Sequence, residues 1–347
     1  MNQVTNARSI IIIDLLYLGD LMFATPFIKN LRMNLPDKRI DMIVNSNFYD
    51  LIKTNPDLDN VYAYNKKWGL RQGISFARKL SQNNYDLGLN IHGNWRTAIL
   101  LKLVNPVYSL GYGGKGRGIF LDQEIKRSEG MHMTEAYLAF LEEIGLKSLT
   151  DNIPQLSLSP EASQGIKAFL EGEGVIPGDR LVALNTGGTW PTKRWPAVRF
   201  AELADALVKN YDVRPVLTGG KSDLGRVDEI VSLMASEPIT AAGRTSLEEL
   251  AALMEYCELV ISNDSGPVHV AAAVGTPTIT IFGPSDDIKY RPLGEKHKIV
   301  KTGIDCRPCG EHQCPQGHHR CMRDIDVNDI IKLIKDTHAT FLTPLKV

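Results

Sequence analysis

No run of apolar residues in this sequence approaches the roughly 20 needed to cross a bilayer as a helix. The most continuous run, Ile10 to Ile13, is stopped by Asp14 and preceded by a polar stretch, so no secretory leader is expected. An excess of charge is lacking too. The chain has 39 Lys and Arg against 40 Asp and Glu, a formal net charge of −1. No global field therefore recruits nucleic acid, and any basic surface must be local. Cysteine is scarce outside one short stretch: four of the five lie between Cys306 and Cys321. Missing as well is a Gly-x-Gly-x-x-Gly turn after the first strand, which sets aside a two-domain NAD enzyme. These absences leave a cytoplasmic protein, free or resting on a membrane surface.

What is present is alternation. At roughly 150 residues per domain, 347 residues suggest two domains. Ser9 to Leu16 reads as a strand buried on both faces. A helical run to Asn34 follows, ended by Pro36, then strands at Arg39 to Val44, Val61 to Tyr64, Tyr85 to Ile91 and Val107 to Gly111. Residues 1–150 thus form one doubly wound α/β domain, and 151–160, with two prolines and no helical period, a linker. The pattern restarts in 161–325, with strands at Arg180 to Leu184, Arg214 to Leu217, Ile239 to Ala241, Leu259 to Ile261 and Thr278 to Phe282. Residues 326–347 hold an amphipathic helix expected to pack back on the first domain. Two such domains facing each other would bind a ligand in the cleft at the carboxyl ends of their strands.

The unusual residues fall at those strand ends. Asp264-Ser265-Gly266 ends a buried strand and opens a helix that carries Pro267 and His269. Backbone N–H groups and a helix dipole there suit a phosphate, with Asp264 capping the turn. Thr186-Gly187-Gly188 ends another strand and leads to Lys193-Arg194. The glycines admit a close backbone approach and the bases supply charge for a diphosphate. Gly219-Gly220 is followed by Asp223, which can bond a ribose hydroxyl pair or cap its helix. Asp20 follows Gly19 after the first strand and can act as a general base, as an N-terminal cap, or as both. Cys306, Cys309, Cys314 and Cys321 have metal-ligand character, and read equally as a reduced, metal-free set.

Leu18-Gly19-Asp20 with Thr25-Pro26, then Lys193-Arg194-Trp195-Pro196, then Asn263 to His269 with Phe282-Gly283-Pro284, occur in the order seen in glycosyltransferase family 9. The chain resembles the ADP-heptose:lipopolysaccharide heptosyltransferases over nearly its whole length, and its cysteine-bearing tail is most similar to their II and III branches. The resemblance implies a GT-B fold with an acceptor domain first and a nucleotide-sugar domain second. It implies inverting transfer of heptose from ADP-heptose to the inner core of lipopolysaccharide, with no cofactor for catalysis. Asp20 would be the catalytic base. Thr186, Gly187, Lys193, Arg194, Gly219, Asp223, Asp264, Ser265, Gly266 and His269 would form the donor site. An anionic, lipid-linked acceptor would meet His92, Arg96, Lys115, Arg117 and His132. Zinc or iron at the four cysteines would be structural. Competing expectations are another nucleotide sugar, a protein acceptor, or a nucleotide-binding regulator without activity.

Overall fold

The computed structural model describes residues 2–114, 116–127 and 130–337. The chain divides into two compact units, Met1–Ser157 and Leu158–Val347, with the break inside the expected linker.

The first unit is a six-stranded parallel sheet. Its strands are β1 (Ser9–Asp14), β2 (Arg39–Asn45), β3 (Asn60–Tyr64), β4 (Leu87–Asn90), β5 (Tyr108–Tyr112) and β6 (Gln123–Ile125), in the order β3-β2-β1-β4-β5-β6. Ile10 to Ile13 are fully buried because β1 is central and covered on both faces, which explains its lack of alternation. Helices α1 (Leu18–Asn34), α2 (Leu70–Ser81), α3 (Trp95–Val104) and α4 (Met133–Glu143) cover the sheet. Pro26 sits within α1 and cannot bond the Met22 carbonyl, which accepts from Thr25 Oγ1 at 2.9 Å instead.

The second unit repeats the design. Its strands are β7 (Leu181–Asn185), β8 (Arg214–Thr218), β9 (Ile239–Thr240), β10 (Leu259–Asn263), β11 (Thr278–Phe282) and β12 (His297–Lys301), in the order β12-β11-β10-β7-β8-β9, again all parallel. Its helices are α5 (Pro160–Gly172), α6 (Ala197–Tyr211), α7 (Leu224–Leu233), α8 (Leu247–Tyr256), α9 (Gly266–Ala273) and α10 (Val327–Thr337). The apolar face of α10, Ile330, Ile331 and Ile334, is buried in this unit's own core with Leu203 and Leu207 of α6. That is the face the sequence reading assigned to the first unit; residues 338–347 lie outside the described part.

In each sheet the chain winds outward from one pair of neighbouring strands, β1 and β4 in the first unit and β7 and β10 in the second. Such switch points open a crevice at the carboxyl ends of the strands. The loops and first helical turns after those four strands carry Asp20, His92, Thr186-Gly187 and Asp264-Ser265-Gly266.

Candidate active site

In the first unit, β1 delivers Asp14 and then the Tyr17 to Asp20 turn. Asp20 is half-buried in the first turn of α1, where its Oδ2 accepts from the Tyr17 N–H at 3.4 Å. It therefore closes a turn as well as presenting a carboxylate at the strand end. Asp14 is 3% exposed. One of its oxygens accepts from the Leu16 N–H at 2.8 Å, and Oδ2 has no hydrogen-bond partner among the described residues. Burial pushes this carboxyl up to about 7, and the nearby Asp20 pushes in the same direction. The Tyr137 hydroxyl is buried without a hydrogen-bond partner among the described residues and feels both carboxylates; burial first, then Asp14 and Asp20, raises it well above the usual phenol range.

Among the acceptor candidates, His92 is held by the loops after β1 and β4. Its Nδ1 accepts from the Leu15 N–H at 3.0 Å, and Nε2 lies 2.6 Å from the Asn94 side-chain amide. Burial, with Lys66 and three arginines around it, holds the imidazole down to about 3. Held neutral, it clasps the loops that follow β1 and β4. Arg96 is exposed and donates to the Lys66 carbonyl at 2.9 Å. Arg117 Nε donates to the carbonyls of Gly113 and Gly114 at 3.1 and 2.9 Å. His132 caps α4, its Nδ1 accepting from the Thr134 N–H at 3.1 Å, and packs edge-on against Phe23, one turn beyond Asp20. Lys115 lies outside the described residues. Lys66 and Arg127 belong with this group through their charge on Asp14 and His92, though their sequence surroundings gave no sign of it.

In the second unit the donor candidates converge. Lys193 Nζ is 2.8 Å from Asp264 Oδ2 and stands 4.6 Å over the Trp190 ring. Asp264 does not cap α9 as its position suggested. Ser265 is the N-cap residue, in extended backbone, and its hydroxyl accepts from Asn185 Nδ2 at 3.0 Å. Asp264 instead holds the lysine. Pro267 falls at the second helical position, and Gly275 ends the run at φ +85°. Buried His269 lies on the same helix.

Two buried asparagines organise the strand ends, and neither was among the expected donor residues. Asn263 Nδ2 donates to the Thr186 and Gly187 carbonyls at 2.9 and 3.0 Å, while its Oδ1 accepts from the Trp195 N–H at 2.9 Å. Asn185 Nδ2 also donates to Ser262 Oγ at 2.9 Å, and its Oδ1 accepts from Thr218 Oγ1 at 3.3 Å. Gly187 and Gly219 both abut Asp223: a Cβ on Gly187 would stand 2.6 Å from the Asp223 Oδ2, and one on Gly219 3.0 Å from its Cβ. That carboxylate accepts from the Gly220 N–H at 2.9 Å. Arg194 donates to the Gly188 carbonyl at 2.8 Å. Thr186 Oγ1 is buried without a hydrogen-bond partner among the described residues.

The four clustered cysteines are free thiols lining one cavity of about 220 Å³ with Thr192, His318 and His319. Burial, then the other three thiols, pushes Cys321 up to about 11. The N–H of His319 donates to Cys314 and lowers that thiol. Among the described residues no group of three or more His, Cys, Asp or Glu is placed to hold a metal ion. No chemistry here is routed through a metal.

Two doubly wound units, one carrying a basic, glycine-walled strand-end site and the other a carboxylate at its switch point, define the class: a GT-B glycosyltransferase scaffold of two Rossmann-like domains. The chain belongs to glycosyltransferase family 9 (heptosyltransferase), whose model matches residues 74–319. It is 32% identical over 293 residues to lipopolysaccharide heptosyltransferase 3 of Escherichia coli K12, covering 80% of this chain and 83% of that protein. Its structure superposes on a family 9 glycosyltransferase from Veillonella parvula with a TM-score of 0.85 at 26% identity, covering 95% and 97% of the two chains. The E. coli ADP-heptose lipopolysaccharide heptosyltransferase II shares the fold with a TM-score of 0.81 at 22% identity, covering 96% and 99%.

Proposed function

We propose that this protein transfers heptose, with inversion, from ADP-heptose to the inner core of lipopolysaccharide on its lipid anchor, working at the cytoplasmic face of a membrane. The observation that carries the reading is the second unit's strand-end site. There Lys193, the Ser265-Gly266 helix start and the glycines at 187 and 219 stand together, the requirements of a nucleoside diphosphate. Kinship with lipopolysaccharide heptosyltransferase 3 supports the sugar and the acceptor.

In this reading the acceptor hydroxyl attacks the anomeric carbon while the bond to the diphosphate oxygen breaks. ADP leaves with the bonding pair, and Asp20 takes the hydroxyl proton. Charge grows on the leaving diphosphate, where Lys193 and the amino end of α9 stabilise it. Asp223 bonds the ribose. Arg96, Arg117, Lys115 and His132 meet the acceptor. His92 positions the β1 and β4 loops.

A donor screen tests the proposal: ADP-heptose and other nucleotide sugars, with and without a core acceptor, scored by nucleotide release. Acceptor-dependent ADP release is the expected result. Release only from uridine or thymidine donors would overturn the donor assignment. Asp20→Asn that kept most turnover while binding ADP normally would overturn the base.

A further inference from the structure

Residues 65–127 carry eleven Lys and Arg against three Asp and Glu, a formal excess of eight positive charges in a chain whose net charge is −1. The three acids are tied internally: Asp86 to the Arg8 and Ser9 N–H groups, Asp122 to Ser109, and Glu124 to the Gly114 N–H. Six of the bases are exposed on neighbouring elements. Arg71, Arg78 and Lys79 are exposed on α2, Arg96 and Lys102 on α3, and Lys126 just after β6.

Among these bases lie large exposed apolar side chains. Trp95, Ile99 and Leu103 are 46%, 42% and 39% exposed at positions i, i+4 and i+8 of α3, one stripe on one face. The opposite side of that helix, Ala98, Leu101 and Val104, is buried. The stripe continues onto the Arg117–Phe120 turn, where the Phe120 ring meets Trp95 at 5.8 Å and Ile119 is 76% exposed. Helix α2 packs beside α3 and adds Leu70, 86% exposed, and a shallow depression lined by Arg71, Ile74, Ser75 and Arg78.

Single exposed apolar residues need no explanation, but a contiguous stripe within a field of one sign does. Protein–protein interfaces are depleted of lysine. An anionic bilayer satisfies both features, since lipid phosphates neutralise the bases while Trp and aliphatic side chains enter the headgroup boundary. We infer that the α2–α3 face of the first unit, with the Ile119–Phe120 turn, docks on an anionic lipid bilayer. Its use rests on the reading of the acceptor as lipid-linked. Its physics rests on the surface alone, so the test reads lipid binding and not transfer.

The experiment is co-sedimentation of the full chain with vesicles of phosphatidylcholine alone or with phosphatidylglycerol added. Binding at least tenfold stronger to the anionic vesicles, weakening with salt, is expected. Ile99→Glu with Leu103→Glu should lower it at least tenfold while thermal stability and ADP affinity stay unchanged, because both positions are exposed and outside the donor site. Lys102→Glu should weaken it further and flatten the salt dependence. Equal binding to both vesicle types, no binding to either, or full binding by the double glutamate variant would overturn the inference. So would a wild-type dimer that the double variant turns into a monomer, since the face would then be covered by a second copy. A protein that binds vesicles but transfers no heptose would sink only the acceptor reading.

Discussion

Lys193 and Asp264 form a nearly buried ion pair, 2.8 Å apart, so the cation of the proposed donor site is already neutralised by the strand-to-helix turn beside it. The aspartate side chain is 4% exposed and the lysine 19%. Removing the lysine alone would strand a buried charge, whereas removing the negative charge frees the lysine for phosphate. Lys193→Ala should cost about 3 kcal/mol of stability and weaken ADP binding at least tenfold, about 1.4 kcal/mol. Asp264→Asn keeps the shape and should bind ADP as tightly as wild type or more so. Calorimetric titration with ADP and thermal unfolding of both variants check the pair.

Asp14 predicts a pH dependence with a definite sign. Its carboxyl is raised to about 7 in the fold from an ordinary 3.8. The folded state therefore binds the proton more tightly. The stability this provides is full below 3.8 and is lost as pH rises toward 7. The loss amounts to about 4 kcal/mol at 1.36 kcal/mol per unit. Asp14→Asn should remove this contribution and raise Tm at pH 8, as measured by thermal unfolding across pH 4 to 8.

His92 acts in the opposite direction. Its folded value of about 3 lies below the ordinary 6.5, so its contribution is present above 6.5 and lost as pH falls toward 3. The two slopes oppose each other between 3.8 and 6.5. Wild type should be flatter there than either variant, with Asp14→Asn gaining stability as pH rises and His92→Gln losing it. His92→Gln should also cost about 1 kcal/mol at pH 7 through the lost bond from the Leu15 N–H. A histidine acting as a phosphate cation would give a different result: little change in stability and a large loss of acceptor affinity.

The sheets were legible because parallel strands covered on both faces read as continuous β-branched runs: Ile10 to Ile13, Leu259 to Ile261 and Thr278 to Phe282 all fall within observed strands. Four of the longer or sheet-forming elements escaped. Strands β6 and β12 are edge strands with mixed burial, and α3 hides its period because Trp95, Ile99 and Leu103 are exposed apolar residues. Helix α5 was concealed by Pro154 before it and Pro160 at its first position, though Ser159 caps it by accepting from the Ala162 N–H at 3.2 Å. Motif residues such as Asp20, Lys193 and Ser265 could be placed at strand ends from local sequence. Their partners could not. Nothing near Asp264 indicates a lysine 71 positions earlier, and nothing near Asn263 indicates the Thr186 carbonyl. A faint signal existed for Asp14, an ionisable side chain closing an otherwise all-isoleucine strand end.

Asn263 is the strongest prediction for a residue outside the motif bases. It makes three bonds to main-chain groups of the β7 loop, at Thr186, Gly187 and Trp195, and is fully buried. Asn263→Ala leaves those groups unmet away from water, at about 1 to 3 kcal/mol for each that finds no substitute. The loop those bonds hold is the one that brings Gly187 against Asp223, so loss of the asparagine should weaken ADP binding as well as lower Tm. Gly187→Ala separates the two effects. Its Cβ would stand 2.6 Å from the Asp223 Oδ2 and displace only that carboxylate, leaving the Asn263 bonds intact. It should therefore weaken ADP binding with a smaller fall in Tm. The proposed ribose contact makes a further demand: the Gly187→Ala penalty should shrink against 2′,3′-dideoxy-ADP, which offers Asp223 no hydroxyl to bond. An undiminished penalty would mean that the glycine admits the diphosphate and that Asp223 only closes its turn on Gly220.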